Sequence, residues 1–165
     1  MAASVTDVIP VEVAETLPGL LRERVRRSPN GVAYRYYNDA DQAWQDLSWQ
    51  DMADHIALWQ TAMQQVGLNP GDRVGIMLHN CPQWVMYEQA ALGLGLVLVP
   101  LYTNDRAENF GYIIENADIQ MLLIDDQEHW DVLSEVYHRL DHLKLIIKAG
   151  CADSDVGRLL LHQLD

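Results

Sequence analysis

Asp125, Asp126 and Glu128 crowd the junction between an apolar run that ends at Ile124 and a mixed pattern that resumes at Gln127. Carboxylates placed just after a parallel strand are where dinucleotide folds hold a ribose hydroxyl. The same three groups also cap a helix and complement its dipole without any ligand, which is the plainer reading. His138 and His142 stand four apart with Asp141 beside them. On one helix these would form half a metal site, but zinc or iron needs further ligands at fixed geometry. No spacing here supplies them, so surface histidines are the simpler expectation. Gly93-Leu94-Gly95 is half of a dinucleotide fingerprint. The phosphate-binding version follows a strand and opens a helix, whereas these glycines close a helix and precede a strand. They read as a C-terminal cap with close packing against the sheet. Cys81 and Cys151 have neither metal nor redox spacing and read as free thiols. The chain carries no Gly-x-Ser-x-Gly elbow and no Gly-rich loop ending in Lys and Ser or Thr. Nor does it carry a cationic cluster placed to neutralise a triphosphate.

The elements that would position these groups follow from periodicity. Leu17, Leu20, Leu21 and Val25 mark a short helix that ends near Ser28-Pro29-Asn30-Gly31. Residues 32–37 and 44–48 read as two extended pieces around a polar turn. Ser48 stands three residues before Asp51, the spacing of a capping box. The helix it opens carries Trp49, Met52, Ala53, Ile56, Trp59, Met63 and Val66 along one face. Gly67 stops it, and Asn69-Pro70-Gly71-Asp72 is a turn in which proline sets φ and glycine tolerates a positive one.

Beyond that turn the pattern alternates. Strands are predicted over residues 73–78, 96–100, 120–124 and 144–148, the second one buried on both faces. Helices are predicted over 82–94, 105–117 and 127–140, with one more in 153–165. Trp44, Trp49, Trp59, Trp84 and Trp130 read as core residues or half-buried staples. Such alternation predicts an α/β fold: a doubly wound, mostly parallel sheet with flanking helices and a small N-terminal β-hairpin. The expected division is a loose lead-in over 1–15, the α/β unit over 16–150 and a truncated C-terminal segment over 151–165.

The 165 residues suffice for one domain that buries roughly 70% of its unfolded surface. Apolar residues make up 49% and charged ones 21%, so a packed core is expected rather than disorder. A formal charge of -13 argues against nucleic acid and anionic membranes, both of which need clustered Lys and Arg. Residues 1–13 lack a basic n-region and a long apolar run, so no signal peptide is expected. Residues 90–102, the most apolar stretch, are too few to span a bilayer and include Pro100. A cytoplasmic protein, not transmembrane, is the expectation.

One longer stretch is more specific. Gly67-Leu68-Asn69-Pro70-Gly71-Asp72-Arg73-Val74-Gly75-Ile76 resembles the turn and first sheet strand of adenylate-forming (AMP-binding) enzymes. Asn80, Gln83-Trp84 and Ala90-Ala91-Leu92-Gly93 continue the likeness in register, as does the run from Gly95 through Val99-Pro100. Tyr102-Thr103 after that proline resembles the long-chain fatty acyl-CoA ligase branch, as does the aromatic entry from Trp44 to Ser48-Trp49. Leu96 stands where the family more often has a small residue. The likeness runs over about residues 17–148.

The resemblance implies a parent enzyme that uses ATP, Mg²⁺ and CoA to activate a fatty acid, forming an acyl-adenylate and then a thioester. It places the phosphate loop, the aromatic-Thr-Glu segment, the hinge and the catalytic lysine downstream of the matched region. The expectation is therefore an N-terminal fragment that is inactive alone, holds no cofactor and has no catalytic residue. Its partner would be the remainder of the parent. Tyr102 and Thr103 are the candidate substrate-binding residues, as pocket wall only; a plain strand-end turn is the alternative. Peripheral membrane association of the parent and self-association of the fragment through uncovered surface are further expectations. A stand-alone, non-catalytic interaction or ligand-sensing module is the competing reading, because fold does not fix function.

Overall fold

The structure is a computed structural model and describes residues 7–38, 40–149 and 160–162. Within the expected lead-in, Val11–Ala14 forms a single helical turn, α1. Thr16 opens α2, Leu17–Arg27, by accepting a hydrogen bond from the Gly19 amide at 3.0 Å. The hairpin follows as predicted: β1, Val32–Asn38, pairs antiparallel with β2, Ala43–Ser48. Ser48 then makes the full capping box with Asp51 and launches α3, Trp49–Gln65. Met52, Ile56, Trp59 and Met63 of α3 are buried, as their spacing requires.

The main sheet comprises β3, Arg73–Met77; β4, Val97–Pro100; β5, Ile119–Ile124; β6, Leu145–Lys148; and β7, Leu160–His162. Its order is β4-β3-β5-β6-β7. The first three pairings are parallel and β7 runs antiparallel to β6. Helix α4, Pro82–Gly93, links β3 to β4; α5, Ala107–Asn116, links β4 to β5; α6, Gln127–Ser134, leads towards β6.

From β3 the chain steps outward to β4, then returns across β3 to β5. Right-handed crossovers in opposite directions must lie on opposite faces of the sheet. The side chains obey this. Val74, Ile76, Met121, Leu123 and Ile147 pack with α3 and α4. Met77, Leu122, Ile124 and Ile146 pack with Phe110 and Ile114 of α5 and Leu133 of α6. Alternate residues of each strand thus feed two separate cores, each buried Leu or Ile contributing about 1.5–3 kcal/mol. The fold is the expected doubly wound sheet.

Three expectations are corrected. β4 is parallel yet lies at the sheet edge, with Val97 48% exposed, so it is not buried on both faces. Leu98 and Val99 are only half-buried, one against each core. The predicted helix 127–140 stops at Ser134 and tightens into a 3₁₀ turn, Tyr137–Arg139. There the amides of Val136 and Arg139 bond three residues back, and Val136 is buried against Gly111 of α5. Within 153–165, where a helix was expected, the described residues 160–162 form β7 instead. In that strand Leu160 and Leu161 pair with Lys148 and Ile147. The remainder of that segment lies outside the described residues. No described helix is long and apolar enough to cross a membrane.

Candidate functional site

In a doubly wound sheet the chain leaves neighbouring strands towards opposite faces at one point, and a crevice opens there beyond their carboxyl ends. Here that point lies between β3, which turns to α4, and β5, which turns to α6. Three loops meet at it. After β3 come buried Leu78, then His79 and Asn80, both exposed, and Cys81 at the N-cap of α4 with Pro82 in its first turn. After β5 come Asp125, only 6% exposed, and Asp126. After β4 the amide of Leu101 bonds the Ile76 carbonyl at 2.8 Å and ties this loop to β3. Tyr102 and Thr103 follow directly.

Thr103 is the meeting point. Nδ1 of His79 lies 2.7 Å from Oδ2 of Asp125, and Nε2 of the same ring is 3.5 Å from the Thr103 hydroxyl. Nδ1 of His129 lies 2.6 Å from Oδ1 of Asp126, and its Nε2 is 3.1 Å from the Thr103 carbonyl. The two rings meet edge to face with centroids 6.0 Å apart. Each imidazole is therefore backed by a carboxylate and reaches the same residue of the third loop.

The electrostatics follow from these contacts. The Asp125 hydrogen bond holds the His79 imidazole above its usual value; partial burial opposes it, and the charges of Asp125, Asp126 and Cys81 add to it. Burial works against charge on Asp126, but the backbone amide and ring of His129, with the Glu128 amide, outweigh it and hold the carboxyl below its usual range.

Of the sequence candidates, Tyr102 is 85% exposed at the rim and Thr103 is half-buried at the crevice. Asp126 caps α6, accepting from the His129 amide at 3.1 Å, while Glu128 is exposed in the first turn. Asp125 is not the N-cap of α6, which is Asp126; its Oδ2 lies 2.7 Å from Nδ1 of His79. His138 and His142 do not share a helix face, because α6 ends before them. His142 Nε2 lies 3.2 Å from the Ile114 carbonyl, and His138 is exposed. Gly93 closes α4 and Gly95 turns the chain with φ +71°. A side chain on Gly93 would meet the Nε2 end of the Gln60 side chain on α3. Trp44 departs from the tryptophan expectation, at 67% exposure.

Sequence reasoning missed His79 and His129. Their signal is position alone: each sits within five residues of the end of a parallel strand, on either side of the crossover.

Chemically, the crevice can accept and donate hydrogen bonds and move one proton at His79. Among the described residues no group of three or more His, Cys, Asp or Glu side chains is placed to hold a metal ion. Two carboxylates beside one exposed imidazole do not match a magnesium triphosphate, which requires clustered cations. A second concavity of about 280 Å³ is lined by Leu17, Leu20, Leu21, Tyr34, Trp49 and neighbours on α2, β1, α3 and α4. It takes nothing from the three loops.

The family described as AMP-binding enzyme matches residues 21–159. The probable CoA ligase CCL6 of Humulus lupulus is 30% identical over 131 residues, covering 76% of this chain and 20% of that protein. Long-chain-fatty-acid–CoA ligase 1 of Homo sapiens is 31% identical over 120 residues, 70% of this chain and 17% of that one. The solved anthranilate CoA ligase AuaEII, in complex with anthranoyl-AMP, superposes with a TM-score of 0.71 at 17% identity. That match covers 84% of this chain and 25% of the other, and at such identity it shows the fold alone. The chain spans about a fifth of the length of the curated relatives it matches.

Proposed function

The chain belongs to the AMP-binding enzyme family, and from that premise we propose that it forms the first α/β layer of a longer ATP-dependent ligase that joins long-chain fatty acids to CoA. The observation that carries this reading is the family match over residues 21–159. The relatives named as long-chain-fatty-acid–CoA ligases support the substrate class, as does the Tyr102-Thr103 pair after Pro100.

In the proposed reaction the fatty acid carboxylate attacks the α-phosphate of ATP and pyrophosphate leaves. The CoA thiol then displaces AMP to give the thioester. Charge develops on phosphate oxygens in the first step, and the cations that would stabilise it belong to segments that the resemblance places downstream. The role of residues 16–150 is architectural. They set a rigid sheet whose crevice loops, with Tyr102 and Thr103 foremost, wall the space where the reactive anhydride is kept from water. Residues 1–15 precede this unit and 151–165 lead out of it. Taken alone, the chain is expected to be inactive. Its free β4 edge and exposed Leu17 and Leu20 favour self-association.

The test is pyrophosphate release from ATP and Mg²⁺ with palmitate and CoA. This chain by itself should stay at background. Turnover by the purified chain would sink the layer reading and favour a complete small enzyme. Sedimentation at micromolar concentration tests the association; a clean monomer would refute it.

A further inference from the structure

The loop after β4 is held by more than its own turn. It receives one imidazole from the loop after β3 and another from α6, and each imidazole is fixed by its own carboxylate. We propose that His79 and His129 are positioning residues that clamp Thr103 across the switch point, with His79 setting the direction of the Thr103 hydroxyl. This deepens, and rests on, the reading of Tyr102 and Thr103 as pocket wall.

The argument is one of hydrogen-bond polarity. Ionised Asp125 only accepts, so it keeps a proton on Nδ1 of His79. In the neutral ring Nε2 is then a lone pair, and the Thr103 hydroxyl donates to it. When the ring gains its second proton, Nε2–H points at the hydroxyl oxygen instead. The threonine must accept there, and its own proton is released to a carbonyl or carboxylate oxygen in the crevice. One proton at His79 thus converts Thr103 from a donor satisfied internally into a donor available to ligand. The groups facing His79 are Asp125 and Asp126 beyond β5, Cys81 at the start of α4 and the ring of His129 on α6. His129 has the other task. Its Nδ1 faces Asp126 and its Nε2 faces the Thr103 carbonyl, and because both partners only accept, the ring makes both bonds when both nitrogens carry a proton; in that form it keeps the backbone in place while the hydroxyl turns.

The test needs no turnover and so separates from the ligase reading. In this chain, long-range ¹H–¹⁵N NMR should show His79 with Nδ1 protonated throughout and Nε2 protonated only below its midpoint. The Thr103 amide should shift with that same midpoint and lose the shift in His79→Gln. In His129→Ala the backbone order parameters of Tyr102, Thr103 and Asn104 should fall from about 0.85 to below about 0.6. His129→Gln, whose side-chain amide can donate to the same carbonyl, should restore most of the loss. Order parameters unchanged in His129→Ala with methyl spectra intact would overturn the clamp. A Thr103 titration that persists in His79→Gln would overturn the hydroxyl switch. If His129→Ala fails to fold, the His129→Gln comparison and the His79 titration in the unaltered chain decide both points.

Discussion

The two faces of the sheet are both buried and are packed by different means. The face under α3 and α4 is rich in flexible or large side chains: Met52, Met63, Met86, Met121, Trp59 and Tyr87 are all buried. The face under α5 and α6 holds Ile114, Ile119, Leu122, Ile124, Leu133 and Ile146 around Phe110, with Met77 its one buried thioether. Unbranched thioethers adapt to irregular gaps, whereas branched aliphatics interlock in few rotamers. Adjacent residues of one strand, Met121 and Leu122, are fully buried on opposite sides and belong to these two regimes. The comparison teaches that burial alone does not set tolerance; the neighbours' freedom to move does.

The largest effect should come from Leu122→Ala, which empties the interlocked face. A loss of about 2–5 kcal/mol is expected in urea unfolding. Met121→Leu should cost less than about 1.5 kcal/mol, and equal losses for the two would break the comparison. Gly75→Ala comes next. Its new methyl would sit 2.7 Å from Leu122 Cδ1 and 3.2 Å from Ile119, so overpacking of about 1–3 kcal/mol is expected. A neutral result would show that the aliphatic face can yield.

Tyr87→Phe should change sign. The Tyr87 hydroxyl is buried without a hydrogen-bond partner, and burial pushes its pKa up. Removing it should raise the melting temperature by an amount equivalent to about 1 kcal/mol. A drop would mean that the hydroxyl is paired in solution.

The smallest effect is that of His79→Gln at the crevice, because the ring is 67% exposed and screened by water. Its sign is still determined. The folded pKa is raised above 6.5, so the pair's stabilisation is whole below that pH and is lost as pH rises through the folded value. The substitution should flatten the stability curve across that window and nowhere else.

Much of this was legible in the residues. Ser48 with Asp51 announces α3, because capping is a local hydrogen-bond rule. The turn at Pro70-Gly71 and the apolar strands that follow announce parallel β-α-β units. Edge position was not legible. The run ending Val97-Leu98-Val99-Pro100 looks like an interior strand, and only strand order places it outside. The end of α6 was equally hidden, since it depends on Val136 seating against Gly111 of another helix.

The crevice divides in the same way. Asp126 could be read as a helix cap because its partner is three residues away. Asp125 could not be read as the partner of His79, 46 residues distant, nor could Thr103 be read as the point where two imidazoles meet. By itself the sequence determined what local periodicity and short-range hydrogen bonding can encode: the elements, their order, the alternation that covers both sheet faces and the family likeness. The tertiary structure alone decided which strands neighbour which, and hence which loops face one another, because contacts across a crossover depend on sheet order and leave no periodic trace in the chain.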